Sequence, residues 1–249
     1  MSALATFGAG LNVVVVGASG GIGAAFVRAL AADRSVGRVL AFARRRVDTG
    51  DGDVLGGRLD LEDETSMQAA AELARAQVGE LNLVLVATGI LHDGAALSPE
   101  KTWRALEPDA LARAFRVNAT GPALIAKHFL PLLARDRKTA FAALSARVGS
   151  IADNELGGWY AYRASKAALN QLLRTLAIEL TRKRPQALCV GLHPGTVDTG
   201  LSVPFQANVP DAKLFTADFA AGRLLAVLDG LDPRDTGGLF AWDGERVPY

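Results

Sequence analysis

The sequence predicts an α/β protein: a single Rossmann-type, doubly wound domain with a seven-stranded, mainly parallel sheet and helices on both faces. Three observations predict it. Short apolar runs alternate with longer helical patterns along all 249 residues. The runs lack polar alternation, as in sheets that are covered on both faces. The first run leads into a glycine-rich turn. No linker or shift in composition divides the chain, so we expect one domain over 1–249.

Seven apolar runs are the strand candidates. They lie at 11–16, 38–43, 54–59, 81–87, 139–145, 187–192 and 237–241. Five stretches with helical periodicity separate them, at 21–33, 62–78, 100–134, 159–183 and 216–229. The least regular stretch, 194–215, is rich in Pro, Gly and Thr and is the natural candidate for a mobile substrate loop.

Composition excludes several classes of function. Lys and Arg number 27 and Asp and Glu 26, so the net charge of +1 gives no case for binding nucleic acid or an acidic membrane. Cys189 is the only cysteine, which excludes an intrachain disulfide and a cysteine metal cage. Three scattered histidines make no metal site. There is no leader pattern and no run near the ~18 apolar residues that span a bilayer, so we expect a soluble cytoplasmic protein.

The glycine turn after the first run is the first motif with a chemical meaning. It reads Gly17-Ala18-Ser19-Gly20-Gly21-Ile22-Gly23 and opens a helical pattern. Its glycines allow a sharp turn and a close approach to a pyrophosphate, and the N–H groups of the following helix attract that anion. We therefore predict cofactor contacts from Gly17, Ser19, Gly20, Gly21, Ile22 and Gly23.

The second motif is Tyr162-Arg163-Ala164-Ser165-Lys166. It places a phenol and an ammonium four residues apart, on one face of a helix. An ammonium and a positively charged nicotinamide favour the phenolate and should lower the pKa of Tyr162 from its ordinary value of about 10. Tyr162 can then donate a proton to a carbonyl oxygen as hydride arrives, or remove one in reverse. The two motifs, in this order, predict a nicotinamide-dependent oxidoreductase.

The end of the second strand bears on which nicotinamide cofactor is used. No acidic residue lies between Arg38 and Val47 to bind a ribose 2′-hydroxyl, and the strand runs into Arg44-Arg45-Arg46. An arginine there can bind a 2′-phosphate through bidentate, charge-assisted hydrogen bonds. The alternative is a solvated basic turn. We expect NADP(H) in preference to NAD(H), with Arg44 as the first contact and Arg45 as the second.

By these residues the chain resembles the short-chain dehydrogenase/reductase family over nearly its whole length. Gly17, Gly21 and Gly23 match the family's Gly-x-x-x-Gly-x-Gly pattern. The stretches 149–154, 157–163 and 240–244 narrow the resemblance to the branch of C-factor signalling proteins and Sniffer-type carbonyl reductases. The resemblance implies a homodimer or homotetramer that packs through the helices near 108–134 and 159–183.

The resemblance also implies further cofactor contacts. Asp60 and Leu61 end the third strand, where the family's Asp lies beside the adenine ring; a helix N-cap is the alternative for Asp60. Ala87, Thr88 and Gly89 stand where the family usually has Asn-Ala-Gly, so the side-chain contacts must differ. The motif after the sixth strand is similar to the family's Pro-Gly-x-Val-x-Thr. It implies contacts from Pro194, Gly195, Val197 and Thr199.

The predicted catalytic group consists of four residues: Asn118, Ser145, Tyr162 and Lys166. In the family the Lys also holds the nicotinamide ribose, and the Asn kinks its helix and holds a water behind the Lys. We therefore count Asn118, Tyr162 and Lys166 among the cofactor contacts as well. The serine is less clear, because alignment on Gly149 puts Ala146 at the catalytic position. We favour Ser145, with Ser150 as the fallback.

Together these residues predict an NADP(H)-dependent oxidoreductase that transfers hydride between nicotinamide and a small, largely apolar carbonyl or alcohol. Trp159, Trp103 and the 200–215 segment are candidate walls of the substrate pocket. We expect His193 to be a packing residue. We expect His92 and Asp93, which follow the fourth strand, to lie in a surface loop, with the active-site rim as the alternative. The alternative function is a C-factor-like signalling protein that binds a dinucleotide with little turnover. Against it, a pure binding module has no chemical need of the predicted catalytic group.

Overall fold

The chain forms a strand at each of the seven predicted runs. The structure, a computed structural model, describes residues 2–45, 47, 54–94, 97–208, 210 and 213–249. In chain order the strands are β1 Leu11–Val16, β2 Val36–Ala43, β3 Val54–Arg58, β4 Leu83–Val86, β5 Thr139–Leu144, β6 Ala187–His193, β7 Thr196–Val197, β8 Leu214–Phe215, β9 Leu239–Ala241 and β10 Arg246–Val247.

Eight of these strands form the central sheet of the described residues, in the order β10-β9-β6-β5-β4-β1-β2-β3. The seven strands from β9 to β3 run parallel, and β10 pairs antiparallel with β9. The predicted seven-stranded parallel sheet is therefore confirmed, with a two-residue strand added at its edge. The chain reverses direction across the sheet between β1 and β4, which is where doubly wound folds bind ligands at the strands' carboxyl ends.

Helices cover both faces of the sheet. They are α1 Gly21–Ala31, α2 Glu64–Val78, α3 Pro108–Phe115, α4 Gly121–Phe129, α5 Tyr160–Lys183 and α6 Ala217–Gly230. Alternate residues of one strand face opposite cores: Val14 packs with α2, α4 and α5, and Val15 packs with α1 and α6. Both valines are fully buried, which explains the unbroken apolar runs in the sequence.

The helix predicted over 100–134 is wrong as a single element. Only α3 and α4 are α-helical within it, and a π-helical turn at Arg116–Thr120 joins them. Residues before α3 are not helical apart from a 3-10 turn at Trp103–Ala105. The reason is Pro108, the first residue of α3: a residue that precedes proline avoids helical geometry, and Glu107 is extended with φ −122° and ψ 130°.

The 194–215 segment has more regular structure than its composition predicts. It contains β7, a 3-10 helix at Val203–Asn208 and β8, and β7 pairs with β8 in parallel. Positions 209, 211 and 212 lie outside the described residues. The mobility of this segment stays a prediction.

Candidate functional site

The glycine turn between β1 and α1 has a tight backbone that a ligand could approach closely. Gly17 has a φ of 87°, which favours glycine, and its N–H donates to the carbonyl of Phe42 in β2 at 2.8 Å. A Cβ atom at position 23 would lie 2.1 Å from the carbonyl oxygen of Gly17, so any larger residue would push α1 off the turn. The N-cap residue of α1 is Gly20, which has no side chain to cap the helix. The first N–H groups of α1 are therefore available to an anion.

A cavity of about 380 Å³ opens at the carboxyl ends of β1 to β4, beside this turn. Nine of the predicted cofactor contacts line it: Gly17, Ser19, Gly20, Arg44, Asp60, Leu61, Ala87, Thr88 and Gly89. The Oγ1 atom of Thr88 is buried there without a hydrogen-bond partner among the described residues. A buried hydroxyl with no partner beside an uncapped helix start fits a cradle for the polar part of a dinucleotide.

The segment between β7 and β8 reaches this turn through Thr199, a predicted cofactor contact. A Cβ atom at Gly21 would lie 2.6 Å from the side chain of Thr199, so Thr199 packs directly on the start of α1. Pro194, Gly195 and Val197 do not line the cavity. Val197 is buried, and its carbonyl accepts a hydrogen bond from the Ser202 hydroxyl. Their cofactor contacts, like those of Ile22 and Gly23, stay predictions.

The two candidate arginines differ in position. Arg44 is exposed and lines the cavity, whereas Arg45 is exposed and does not. Arg46, the third residue of the basic run, lies outside the described residues. Of the two candidates, Arg44 is therefore the one at the cavity.

Asp60 is not the N-cap of α2. That cap is Asp63, whose side chain accepts a hydrogen bond from the N–H of Ser66. The Asp60 carboxylate lines the cavity and accepts from the N–H of Glu62 at 3.1 Å. Of the two roles considered for Asp60, only the cofactor contact is left, as a prediction.

Asn118 sits inside the π-helical turn, fully buried. Its Oδ1 atom accepts from the N–H of Ile90, and its Nδ2 atom donates to the carbonyl of Ile90, both at 2.8 Å. Nδ2 also donates to the hydroxyl of Ser165 in α5 at 3.0 Å. The expected irregularity of the helix at Asn118 is present, and π-helical turns of this kind are frequent at functional sites.

Lys166 of α5 does not itself line the cavity but lies beside Gly89, which does. Its Nζ atom donates to the carbonyl of Leu144 at 2.8 Å, at the carboxyl end of β5. A Cβ atom at Gly89 would lie 3.4 Å from this Nζ and 3.5 Å from Oδ1 of Asn118. Gly89 lines the cavity, so Lys166 Nζ and Asn118 Oδ1 both lie beside a residue of the cavity wall.

Tyr162 is one turn before Lys166 on the same face of α5, and Lys166 Nζ lies 5.8 Å from the centre of its ring. Burial raises the pKa of Tyr162 to about 12 and lowers the pKa of Lys166 to about 7. The expected lowering of the tyrosine pKa is therefore wrong for the protein without cofactor. Desolvation disfavours both charged forms, and an amine that loses its proton near neutral pH gives the phenolate little support.

Both serine candidates are buried residues whose hydroxyls form hydrogen bonds. The Ser145 hydroxyl donates to Oδ1 of Asn170 in α5 at 2.7 Å. The Ser150 hydroxyl accepts from the N–H of Asp153 at 3.1 Å. Ser145 can serve a substrate only if its hydroxyl turns away from Asn170, so its catalytic role stays a prediction.

Two loops and α3 complete the cavity rim. His92 and Asp93 lie in a loop, as expected, and that loop lines the cavity, which was the alternative considered for them. Asp93 forms an ion pair with Arg113 of α3, a cavity-lining residue that sequence reasoning did not single out. The segment between β7 and β8 contributes Leu201 to the same rim.

Comparison with known proteins decides the family. A family model described as short chain dehydrogenase matches residues 11–209, most of the chain. The chain belongs to the short chain dehydrogenase family. It is therefore an oxidoreductase by family, and the resemblance noted in the sequence is confirmed.

Individual relatives of this short chain dehydrogenase agree with the predicted branch. C-signal of Myxococcus xanthus is 40% identical over 140 residues, which cover 56% of this chain and 78% of that protein. NADPH-bound carbonyl reductase from chicken fatty liver has a TM-score of 0.84 and 26% identity, over 99% of this chain and 98% of that chain. Carbonyl reductase Sniffer of D. melanogaster shares the fold, with a TM-score of 0.83 and 22% identity over 97% of this chain and all of that one.

The described residues hold no group of three or more His, Cys, Asp or Glu side chains arranged to bind a metal ion. Over the same part of the chain, every helix is too short or too polar to cross a bilayer.

Proposed function

We propose that this short chain dehydrogenase is an NADP(H)-dependent oxidoreductase that interconverts small, largely apolar carbonyl compounds and alcohols. The observation that carries the proposal is the position of Lys166 and Asn118 beside Gly89, which lines the cavity next to the glycine turn. Tyr162 lies one helical turn before Lys166 in α5. A phenol that can donate a proton therefore lies near the cavity, and carbonyl reduction requires such a donor.

Each residue of the site has its own role in the proposed reaction. The nicotinamide, when bound, supplies the hydride for the carbonyl carbon. Tyr162 donates its phenolic proton to the carbonyl oxygen, and takes a proton back in the reverse direction. Lys166, in its protonated form, favours the phenolate left on Tyr162. Asn118 fixes the start of the loop after β4 against α5. Ser145 is proposed to hydrogen-bond the substrate oxygen as negative charge develops there.

The preference for NADP(H) rests on Arg44. It occupies the cavity rim at the end of β2, where an acidic residue would instead favour a ribose 2′-hydroxyl. A guanidinium can bind a 2′-phosphate in two parallel charge-assisted hydrogen bonds. The NADPH bound by the chicken carbonyl reductase, a structural neighbour, supports the same choice.

Binding titrations test the cofactor part of the proposal. Nicotinamide fluorescence would follow NADPH and NADH binding to the wild type, to Arg44→Ala and to Arg45→Ala. Arg137→Ala, an exposed arginine distant in sequence from the cavity residues, is the control. We expect Arg44→Ala to weaken NADPH binding about tenfold, the size of one charge-assisted interaction, and to leave NADH little changed. Tighter binding of NADH than of NADPH by the wild type would refute the assignment.

A second candidate function is a dinucleotide-binding signalling protein with little turnover. The Ser145 hydroxyl favours it, because that hydroxyl is held by Asn170 rather than presented to a substrate. The similarity to C-signal supports the same signalling function. The discriminating measurement is turnover itself: cofactor binding without carbonyl reduction would favour this second function.

A further inference from the structure

Trp159 has an unusual backbone conformation just before the helix that carries Tyr162. Its φ is 52°, and it is the only residue other than glycine with a positive φ among those described. Left-handed geometry is costly for a bulky aromatic residue, and such outliers persist only where surrounding structure holds them. Gly157 and Gly158, also left-handed with φ of 63° and 66°, lead into it.

The group that holds Trp159 is Glu100, a buried residue with 4% of its surface exposed. The Glu100 carbonyl accepts the N–H of Trp159 at 2.6 Å. Its side-chain Oε2 atom accepts the N–H of Ala161 in the first turn of α5 at 3.2 Å. Trp159 itself gives α5 no side-chain cap. Glu100 therefore fixes the entry into α5 from a distant part of the chain, and with it the direction of the Trp159 side chain.

That direction brings the indole against Tyr162. The two ring centres are 6.3 Å apart and the planes meet edge to face at 73°. On its other side the indole contacts Phe205, with centres 5.1 Å apart, and Phe205 contacts His92 at 5.7 Å. The rings of Tyr162, Trp159, Phe205 and His92 thus form an aromatic row. His92 is its last member, and its Nε2 atom lies 3.0 Å from the carbonyl oxygen of Gly200.

The row therefore joins three segments at the carboxyl edge of the sheet: the loop after β4, the start of α5 and the segment between β7 and β8. Trp159 and Phe205 are uncharged, so these two side chains offer no countercharge to a carboxylate or phosphate. Aromatic rings pack preferentially against other rings in offset or edge-to-face geometry. A flat, apolar group would gain more from such a surface than a puckered one.

We propose that Trp159 and Phe205 form an aromatic wall beside Tyr162 that selects planar carbonyl substrates, such as aryl aldehydes, aryl ketones and quinones, over saturated ones of similar size. Glu100 is the positioning residue that keeps Trp159 in the wall. This inference rests on the proposed function, because the wall acts on a substrate only if Tyr162 reacts with one.

The test compares kcat/KM for a pair of matched aldehydes, benzaldehyde and cyclohexanecarbaldehyde, with NADPH binding measured in parallel by fluorescence. We expect the planar aldehyde to be preferred, and Trp159→Gly, Trp159→Ala and Phe205→Ala to lower the preference by about threefold to tenfold. Trp159→Phe should retain most of it. Phe219→Ala is the control, because Phe219 belongs to a separate cluster with Phe215 and Trp242.

The glycine and alanine variants separate the wall from the fold. Both remove the indole, but only alanine must still adopt the left-handed backbone, so Trp159→Gly should have the higher Tm of the two while both lose the preference equally. Turnover with an unchanged preference in these variants would overturn the wall alone. Binding of NADPH without turnover of either aldehyde by the wild type would overturn the proposed function, and the wall with it.

Discussion

The amide of Asn118 donates a hydrogen bond to the hydroxyl of Ser165, 3.0 Å away, one residue before Lys166 in α5. The same amide pairs with both backbone groups of Ile90. One buried side chain thus ties the loop after β4 and the π-helical turn to the helix that carries Tyr162. The position of the candidate proton donor depends on this link.

Removal of the Asn118 amide should therefore affect both stability and turnover. Asn118→Ala leaves the N–H and carbonyl of Ile90 unpaired, so we expect the free energy of unfolding to fall by about 1–3 kcal/mol. We also expect a large loss of kcat. Urea denaturation and initial rates would measure the two effects.

Asn82 offers a matched control for this variant. It is buried, and its Oδ1 atom accepts the N–H of Asn12 at 2.8 Å, at the opposite end of the strands. Asn82→Ala should cost similar stability and leave kcat near the wild-type value. An Asn118→Ala enzyme that unfolds more easily but turns over normally would show that Asn118 is only a structural tie.

The pH dependence of stability should report the buried amine of Lys166. Burial lowers its pKa from 10.5 to about 7, so between these values the unfolded chain binds more protons than the folded one. The stability contributed by the neutral amine is present above pH 10.5 and is lost as pH falls through 7. Within this window stability rises with pH, by at most about 1.4 kcal/mol per unit for one group.

The measurement is the difference in unfolding free energy between wild type and Lys166→Met, from pH 7 to pH 10. That difference should grow in favour of the wild type as pH rises. Tyr162 acts in the opposite sense only above this range, because burial raises its pKa from 10.0 to about 12. Lys101→Met, at an exposed position, is the control. A flat difference for Lys166→Met would contradict the buried, deprotonating amine.

The catalytic role proposed for Ser145 can be tested separately from its structural role. Ser145→Ala leaves Oδ1 of Asn170 without its donor, which should cost about 1–3 kcal/mol of stability. If the hydroxyl also binds the substrate oxygen, kcat should fall by about 100-fold, as for loss of one such donor elsewhere. Ser150→Ala is the comparison. Normal kcat with reduced stability in Ser145→Ala would show that this serine serves Asn170 alone.

Glu100 should act on turnover through the start of α5. Glu100→Ala removes the acceptor for the N–H of Ala161, and we expect kcat to fall while NADPH binding stays intact. Glu100→Gln keeps an acceptor and should restore most of kcat. Asp63→Ala removes the corresponding cap of α2 and should lower Tm with little effect on kcat. Equal kcat losses in Glu100→Ala and Asp63→Ala would contradict a specific positioning role.

The sheet and its motifs were predictable because each depends on local sequence. Unbroken apolar runs such as Leu11–Val16 reflect burial on both faces, and the glycine turn needs only its own backbone freedom. Lys166 and Tyr162 share a helical face by spacing alone. The break before Pro108 was also visible in principle, but the long periodic stretch around it concealed where the helix begins.

What the sequence could not show depends on contacts between distant segments. Nothing near Glu100 indicates that its carboxylate meets the N–H of Ala161, and nothing near Ser145 indicates that its hydroxyl turns to Asn170. The expected lowering of the Tyr162 pKa was wrong for the protein without cofactor for the same reason. Spacing places an ammonium beside it, but only the packed structure shows that both groups are desolvated.

The most direct test of the account is single-turnover oxidation of bound NADPH by an aryl aldehyde, compared among wild type, Tyr162→Phe and Tyr160→Phe. Tyr160 lies two residues earlier on another face of α5 and is the matched control. We expect Tyr162→Phe to bind NADPH normally and to lose at least about 100-fold in rate, as for loss of a general acid, while Tyr160→Phe keeps the wild-type rate. A Tyr162→Phe enzyme that oxidises NADPH at the wild-type rate would show that Tyr162 is not the proton donor.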